Sequence, residues 1–175
     1  MKTLTLLRHA KSGWDDPAAR DFDRTLNARG QKAAIRIGRY LRDEGVSFDH
    51  VIASPAARVV ETVAHLATGY GRPVEPVWER RIYLASSATL LDLVASLPAA
   101  VGHVLMIGHN PGLEDLVLEL VPSDADPALR EEVEIKFPTA SLATLQFDTD
   151  DWALVPTAPA TLTRFVRPRD LDPRL

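Results

Sequence analysis

The chain has 175 residues, 46% hydrophobic and 25% charged, with a formal net charge of −4. That is the length and mixture of one soluble globular domain, without the bias of a disordered or low-complexity chain. The lack of cysteine excludes a thiol nucleophile, a disulfide framework and a thiolate metal site, and the acidic balance does not favour nucleic acid as a partner.

The first element is a strand at Thr3-Leu7, ended by the charge of Arg8. Its apolar run is too short for a signal peptide, and no later run nears the roughly 18 residues that cross a bilayer, so a cytoplasmic protein with no membrane partner is expected. A helix follows over Ala28-Glu44, where Ala33, Ile37, Tyr40 and Leu41 fall at helical spacing and Gly45 supplies the stop. Strand His50-Ala53 leads to Ser54, an N-cap candidate with Pro55 at the first helical position, and then to a helix over Ala57-Thr68. A helix at Ala88-Leu97, a buried strand at Val104-Ile107 and a helix at Leu113-Val121 continue the alternation.

After a turn-rich link at Ser123-Pro127, strands are expected at Glu134-Phe137, Leu142-Phe147 and Thr161-Val166, the last two pairing antiparallel. Arg164, Arg167, Arg169 and Arg174, interleaved with Pro168, Asp170, Asp172 and Pro173, read as a solvated end with a tail over 168–175. The pattern predicts one α/β domain over 1–175, three layers α/β/α with a mostly parallel central sheet.

Three short segments each follow a strand-length apolar run: Arg8-His9-Ala10, Ser54-Pro55-Ala56-Ala57-Arg58 and Gly108-His109-Asn110-Pro111-Gly112. Open α/β sheets collect ligand-binding residues at that end of their strands, so two histidines and two arginines can meet around a phosphate. A neutral His9 imidazole is a competent nucleophile near neutral pH, and Arg8 can hold phosphoryl oxygens in a fork. Arg58 falls in the first turn of a helix, where an anion is already favoured, and His109 can stabilise charge on the phosphoryl oxygens. Taken singly, each has a plainer structural role: a histidine at a strand end, a solvent-facing helical arginine, a histidine within a tight turn. His50, His65 and His103 have no metal-ligand spacing, so no metal or cofactor is expected.

The motifs resemble those of the histidine phosphatase superfamily, with its phosphoglycerate-mutase-like fold, and are most similar to its small SixA-like branch of phosphohistidine phosphatases. Arg8-His9-Ala10 stands at the Arg-His-Gly signature, Ser54-Pro55 through Arg58 to Thr62 resembles Ser-Pro-x-x-Arg-x-x-x-Thr, and Gly108-His109-Asn110-Pro111-Gly112 resembles the second-histidine motif. Asp23-Arg24-Thr25-Leu26-Asn27 with Gly30 resembles the segment that opens the first long helix, and the likeness runs from residue 2 to about 166. The resemblance implies phosphorylation of His9 during turnover and a phosphoryl site made by Arg8, Arg58 and His109. Ser12 and Asp15 are further candidates for substrate contact, and Glu79 falls where larger relatives place a proton donor, although it could equally pair with Arg80 or Arg81. Ala10 replaces the signature glycine, and Lys11 stands where many relatives carry an acid.

Little chain lies between Glu79 and His109 to roof the pocket, which suits a phosphorylated protein, such as a histidine-containing phosphotransfer protein, better than a small phosphoester. A neutral His9 and a protonated His109 together predict a bell-shaped pH profile with an optimum between mildly acidic and neutral. Two other readings compete. Asp21-Phe22-Asp23-Arg24-Thr25 fits the Asp-x-Asp-x-Thr of haloacid-dehalogenase-like phosphatases, which need those aspartates at a strand end, and the pocket could serve a non-catalytic phosphate- or phosphopeptide-binding module.

Overall fold

The computed structural model describes residues 1–17, 19–124 and 127–175. Four strands run parallel: β1 (Lys2–Arg8), β2 (His50–Ala53), a two-residue edge strand β3 (Val77–Trp78) and β4 (His103–Gly108). Two more, β5 (Leu142–Phe147) and β6 (Ala160–Val166), extend the sheet antiparallel, giving the order β3-β2-β4-β1-β5-β6. Helices cover both faces. Alternation within β1 and β4 accounts for this: Leu4, Leu6, Val104 and Met106 join one core, while Leu7, Leu105 and Ile107 join the other.

The second core packs under α1 (Ala28–Asp43) and α2 (Ala57–Tyr70). These helices touch backbone to backbone, because a Cβ on Gly38 would lie 2.2 Å from Leu66 O and one on Gly69 would lie 1.9 Å from Ile35 O. The first core packs under α3 (Ser87–Ala95), α4 (Gly112–Leu120) and α5 (Pro127–Ile135). Asn27 caps α1 by accepting from the Gly30 N–H at 2.8 Å, and Gly45, at φ +67°, turns the chain after it.

Three expectations need correction. Glu134-Phe137 is not a strand: α5 runs to Ile135, since Leu129 and Val133, four residues apart, turn one apolar face onto the core, and Phe137 is buried just beyond it. Ser54 is not the cap of α2, whose N-cap is Ala56; the Ser54 hydroxyl accepts from the Ala56 N–H at 3.3 Å. Nor is 168–175 a solvated tail. A short helix, α6 (Pro168–Leu171), packs on α1, Pro168 is buried, and Arg29 donates to Leu175 O. Of the expected link 123–127, residues 125 and 126 lie outside the described residues. No helix among the described residues is long and apolar enough to cross a membrane.

Candidate active site

Parallel strands end on the same side of a sheet, and register makes the ends of β1, β2 and β4 level. Arg8 pairs with Gly108, the His9 N–H donates to Gly108 O at 3.0 Å, and the Ser54 N–H donates to Ile107 O at 3.1 Å. His9, Ser54 and His109 therefore leave the sheet side by side, with Arg58 reaching over them from the first turn of α2. The His9 and His109 ring centroids are 5.3 Å apart. Both rings and Arg58 are buried.

The tautomer of His9 follows from its partner. Its Nδ1 lies 2.7 Å from Ala10 O, which can only accept, so Nδ1 carries the proton and Nε2 keeps its lone pair. The strand end is anchored in turn: Ala10 N–H donates to Thr62 Oγ1 at 2.9 Å, and that hydroxyl donates to Arg58 O at 2.6 Å. Burial pushes the His9 imidazole down to about 3, with the charges of His109, Arg58 and Arg8 acting the same way. Burial and Arg58 likewise push His109 down to about 4. The Arg58 Nη2 faces His109 Nδ1 at 3.4 Å, which leaves Nε2 to donate to Ser54 Oγ at 2.8 Å. The free pocket thus holds a neutral His109.

Arg8 donates from Nη1 to Phe137 O at 2.9 Å, while its buried Nε has no partner among the described residues. Arg58 is held by Asp21, through the carbonyl oxygen at 2.7 Å and the carboxylate at 3.1 Å. The Tyr83 hydroxyl donates to the same carboxylate, and its ring meets His109 edge-on at 5.4 Å. Tyr83 and then Arg58 hold the Asp21 carboxyl at about 2, below the usual range. Asp21 lies in a 3-10 turn over Asp21–Asp23, with no strand leading directly into it among the described residues and its oxygens engaged by Arg58, Tyr83 and Arg24, so the haloacid-dehalogenase reading fails. The arrangement can hold an anion: two guanidinium groups stand by two neutral imidazoles, of which His109 turns its unprotonated Nδ1 to Arg58 while His9 keeps the Nε2 lone pair. No cluster of three or more potential metal ligands occurs among the described residues.

Of the remaining candidates, Glu79 and Ser12 pair with neighbouring arginines and Asp15 is exposed. Glu79 forms a two-pronged ion pair with Arg81, both contacts at 2.9 Å, and is held at about 2 by it. A carboxylate ionised at neutral pH has no proton to give, so in the free pocket Glu79 is not poised as a donor. Ser12 Oγ accepts from Arg24 at 2.7 Å. Asp15 is exposed and lines a separate depression with Asp16 and Asp23. The sequence reading missed Asp21 and Tyr83. For Asp21 a signal existed, two residues ahead of the Asp23-to-Gly30 segment, but it was absorbed into the competing Asp-x-Asp-x-Thr pattern.

The family model for the histidine phosphatase superfamily (branch 1) matches residues 4–80. The solved structure of a protein assigned as the phosphohistidine phosphatase SixA of Nakamurella multipartitia aligns with TM-score 0.82 and 32% identity, covering 95% of this chain and 96% of that one. The chain belongs to the histidine phosphatase superfamily. Its place among the SixA-like histidine phosphatases is supported by a second structure, from Agrobacterium tumefaciens, with TM-score 0.79 and 30% identity over 95% of this chain and 97% of that one. The uncharacterized protein Rv1276c of Mycobacterium tuberculosis is 35% identical over 164 residues, 93% of this chain and all of the relative. As a histidine phosphatase the chain is a phosphate-cleaving hydrolase. The family match spans His9, Arg8 and Arg58, whereas His109 lies beyond it and is brought to them by the pairing of β4 with β1 and β2.

Proposed function

We propose that this histidine phosphatase removes the phosphoryl group from phosphohistidine on a protein, through a phosphoenzyme on His9. The observation that carries the reading is the His9 tautomer: Nδ1 donates to Ala10 O, so the Nε2 lone pair is available beside Arg8, Arg58 and His109. Nε2 attacks phosphorus, the bond from phosphorus to the substrate imidazole breaks, and its electron pair returns to that imidazole, which takes a proton from solvent. Water then attacks the phosphorylated His9, losing its proton to solvent, and inorganic phosphate leaves as Nε2 regains its lone pair. Arg8, Arg58 and His109 hold the phosphoryl oxygens in both steps, and the unpartnered Arg8 Nε is a donor such an oxygen would satisfy.

Two features favour phosphohistidine on a protein over a small ester. Asp21 and Glu79 are held ionised by their partners, and an imidazole departs with less proton assistance than an alkoxide. The chain between β3 and β4 makes only a 3-10 turn and α3, which packs on α4 and on the 3-10 turn at Trp152–Thr157, adding no roof of inserted helices. The two SixA-assigned structures at 30% identity or more point to the same substrate class. Rapid quenching with labelled phosphoprotein tests the reading: an acid-labile, base-stable label on the wild type, lost in His9→Ala with essentially all turnover. Full activity in His9→Ala overturns the covalent route. A sugar phosphate or nucleotide preferred about tenfold or more in kcat/KM, roughly 1.4 kcal/mol, replaces the protein substrate with a small one.

A further inference from the structure

The C-terminal segment and α1 enclose two adjoining depressions of about 520 and 330 Å³, both bordered by Arg29 and Leu175. Lys32, Arg36 and Arg39 surround the larger, and Lys11, Lys136 and Arg169 the smaller. None of these six forms an ion pair among the described residues; Asp172, the one acidic side chain among the described residues that line either depression, is paired with Arg174 at 3.0 Å. Unneutralised cations gathered on one face of a chain of net charge −4 leave the negative charge concentrated elsewhere. The smaller depression also carries apolar surface: Ile135 is 82% exposed, with the half-buried Pro138 and Leu175 beside it. Lys11 follows His9 by two residues, and Lys136 and Pro138 flank Phe137, whose carbonyl accepts from Arg8, so this basic face adjoins the candidate active site.

We infer that this face docks the acidic surface of the phosphoprotein substrate, an inference that rests on the proposed phosphohistidine-protein activity. An exposed apolar centre with a charged rim is the anatomy of a protein interface, and the rim's sign selects an acidic partner. A nucleic acid fits less well, because neither depression has an aromatic side chain for a base to stack on. Such a face accelerates encounter and sets the partner's orientation. It does not touch the reacting atoms, so it acts on kcat/KM and its salt dependence more than on kcat.

The test uses the full chain carrying Lys32→Glu, Arg36→Glu and Lys136→Glu, with an acidic histidine-containing phosphotransfer protein phosphorylated by phosphoramidate. At low salt its kcat/KM should fall by about tenfold or more with kcat nearly unchanged, while kcat/KM for free phosphohistidine stays at the wild-type value. Equal kcat/KM for variant and wild type on the phosphoprotein overturns the docking face. A direct titration with the same partner, its phosphorylatable histidine replaced by alanine, separates the two inferences. Weaker binding by the variant upholds docking even where the wild type fails to dephosphorylate the partner, a failure that counts against the phosphohistidine reading alone. No wild-type binding, or a single-stranded oligonucleotide held more tightly than the acidic protein, overturns the assignment of this face to a protein.

Discussion

Asp21 holds Arg58 with both main chain and side chain, its carbonyl oxygen 2.7 Å from Nη1 and its carboxylate 3.1 Å from Nη2. The carbonyl orients the guanidinium at no electrostatic cost, whereas the carboxylate places a negative charge where a phosphoryl oxygen would have to approach. Asp21→Asn separates the two, keeping the carbonyl while removing the charge. Inorganic phosphate should then inhibit about tenfold more tightly, on the order of 1.4 kcal/mol, as measured by its competitive inhibition constant. An unchanged constant would mean that Asp21 only positions Arg58.

The depressed imidazoles set the pH profile. With His9 at about 3 and His109 at about 4, both are neutral in the free enzyme well below pH 6. The enzyme's own acid limb in kcat/KM should therefore fall below about pH 5, well under the ordinary histidine value near 6.5. A bound phosphoryl group adds negative charge beside both rings and favours their protonated forms, so the limb in kcat should lie at higher pH than that in kcat/KM. The limbs belong to the coupled pair. Profiles of both constants from pH 4 to 9 decide it, and a kcat limb at the lower pH contradicts the pocket's electrostatics.

Stability is linked to the same groups. Both folded-state values lie below the ordinary value near 6.5, so as pH falls below that point the unfolded chain binds more protons than the folded one. The contribution is full above about pH 6.5 and is lost progressively towards pH 3–4. His9→Gln removes one titrating group, and its Tm should fall less steeply than the wild type's between pH 7 and 4. Parallel curves would show that His9 does not drive the acid loss.

Glu79→Gln should change kcat on phosphohistidine by less than about threefold, because the carboxylate is bound to Arg81 and ionised. Glu114 provides the comparison. Burial and then Asp115 push its carboxyl up while Arg8 opposes them, so it retains a proton more readily than Glu79. Steady-state rates of the two glutamine variants at pH 6 should show the larger loss at Glu114.

Gly30 supports the nucleophile's loop from behind. A Cβ there would lie 2.1 Å from Lys11 O, an oxygen that also accepts from the Asn27 N–H at 3.0 Å. Gly30→Ala must push the Lys11 backbone away and should destabilise the fold by about 1–3 kcal/mol. The expected readout is a lower denaturation midpoint together with lower kcat, since the displaced chain carries His9.

Much of the fold was legible because strand-length apolar runs at β1, β2 and β4 end at Arg8, Ser54 and Gly108, and parallel strands carry such ends to one edge of the sheet. The stretch around Glu134 misled because four alternating residues fit either period, and only the packing of Leu129 and Val133 against the core selected a helix. The candidate site divides the same way. His9, Arg8, Arg58 and His109 stand in local motifs that a sequence displays in order. Asp21 reaches Arg58 across 37 positions and Tyr83 reaches Asp21 across 62, joined by no local pattern. Sequence determined which chemical groups the pocket has; tertiary structure decided their protonation and their partners, because desolvation and the field of neighbouring charges come from segments that meet only when the chain is folded.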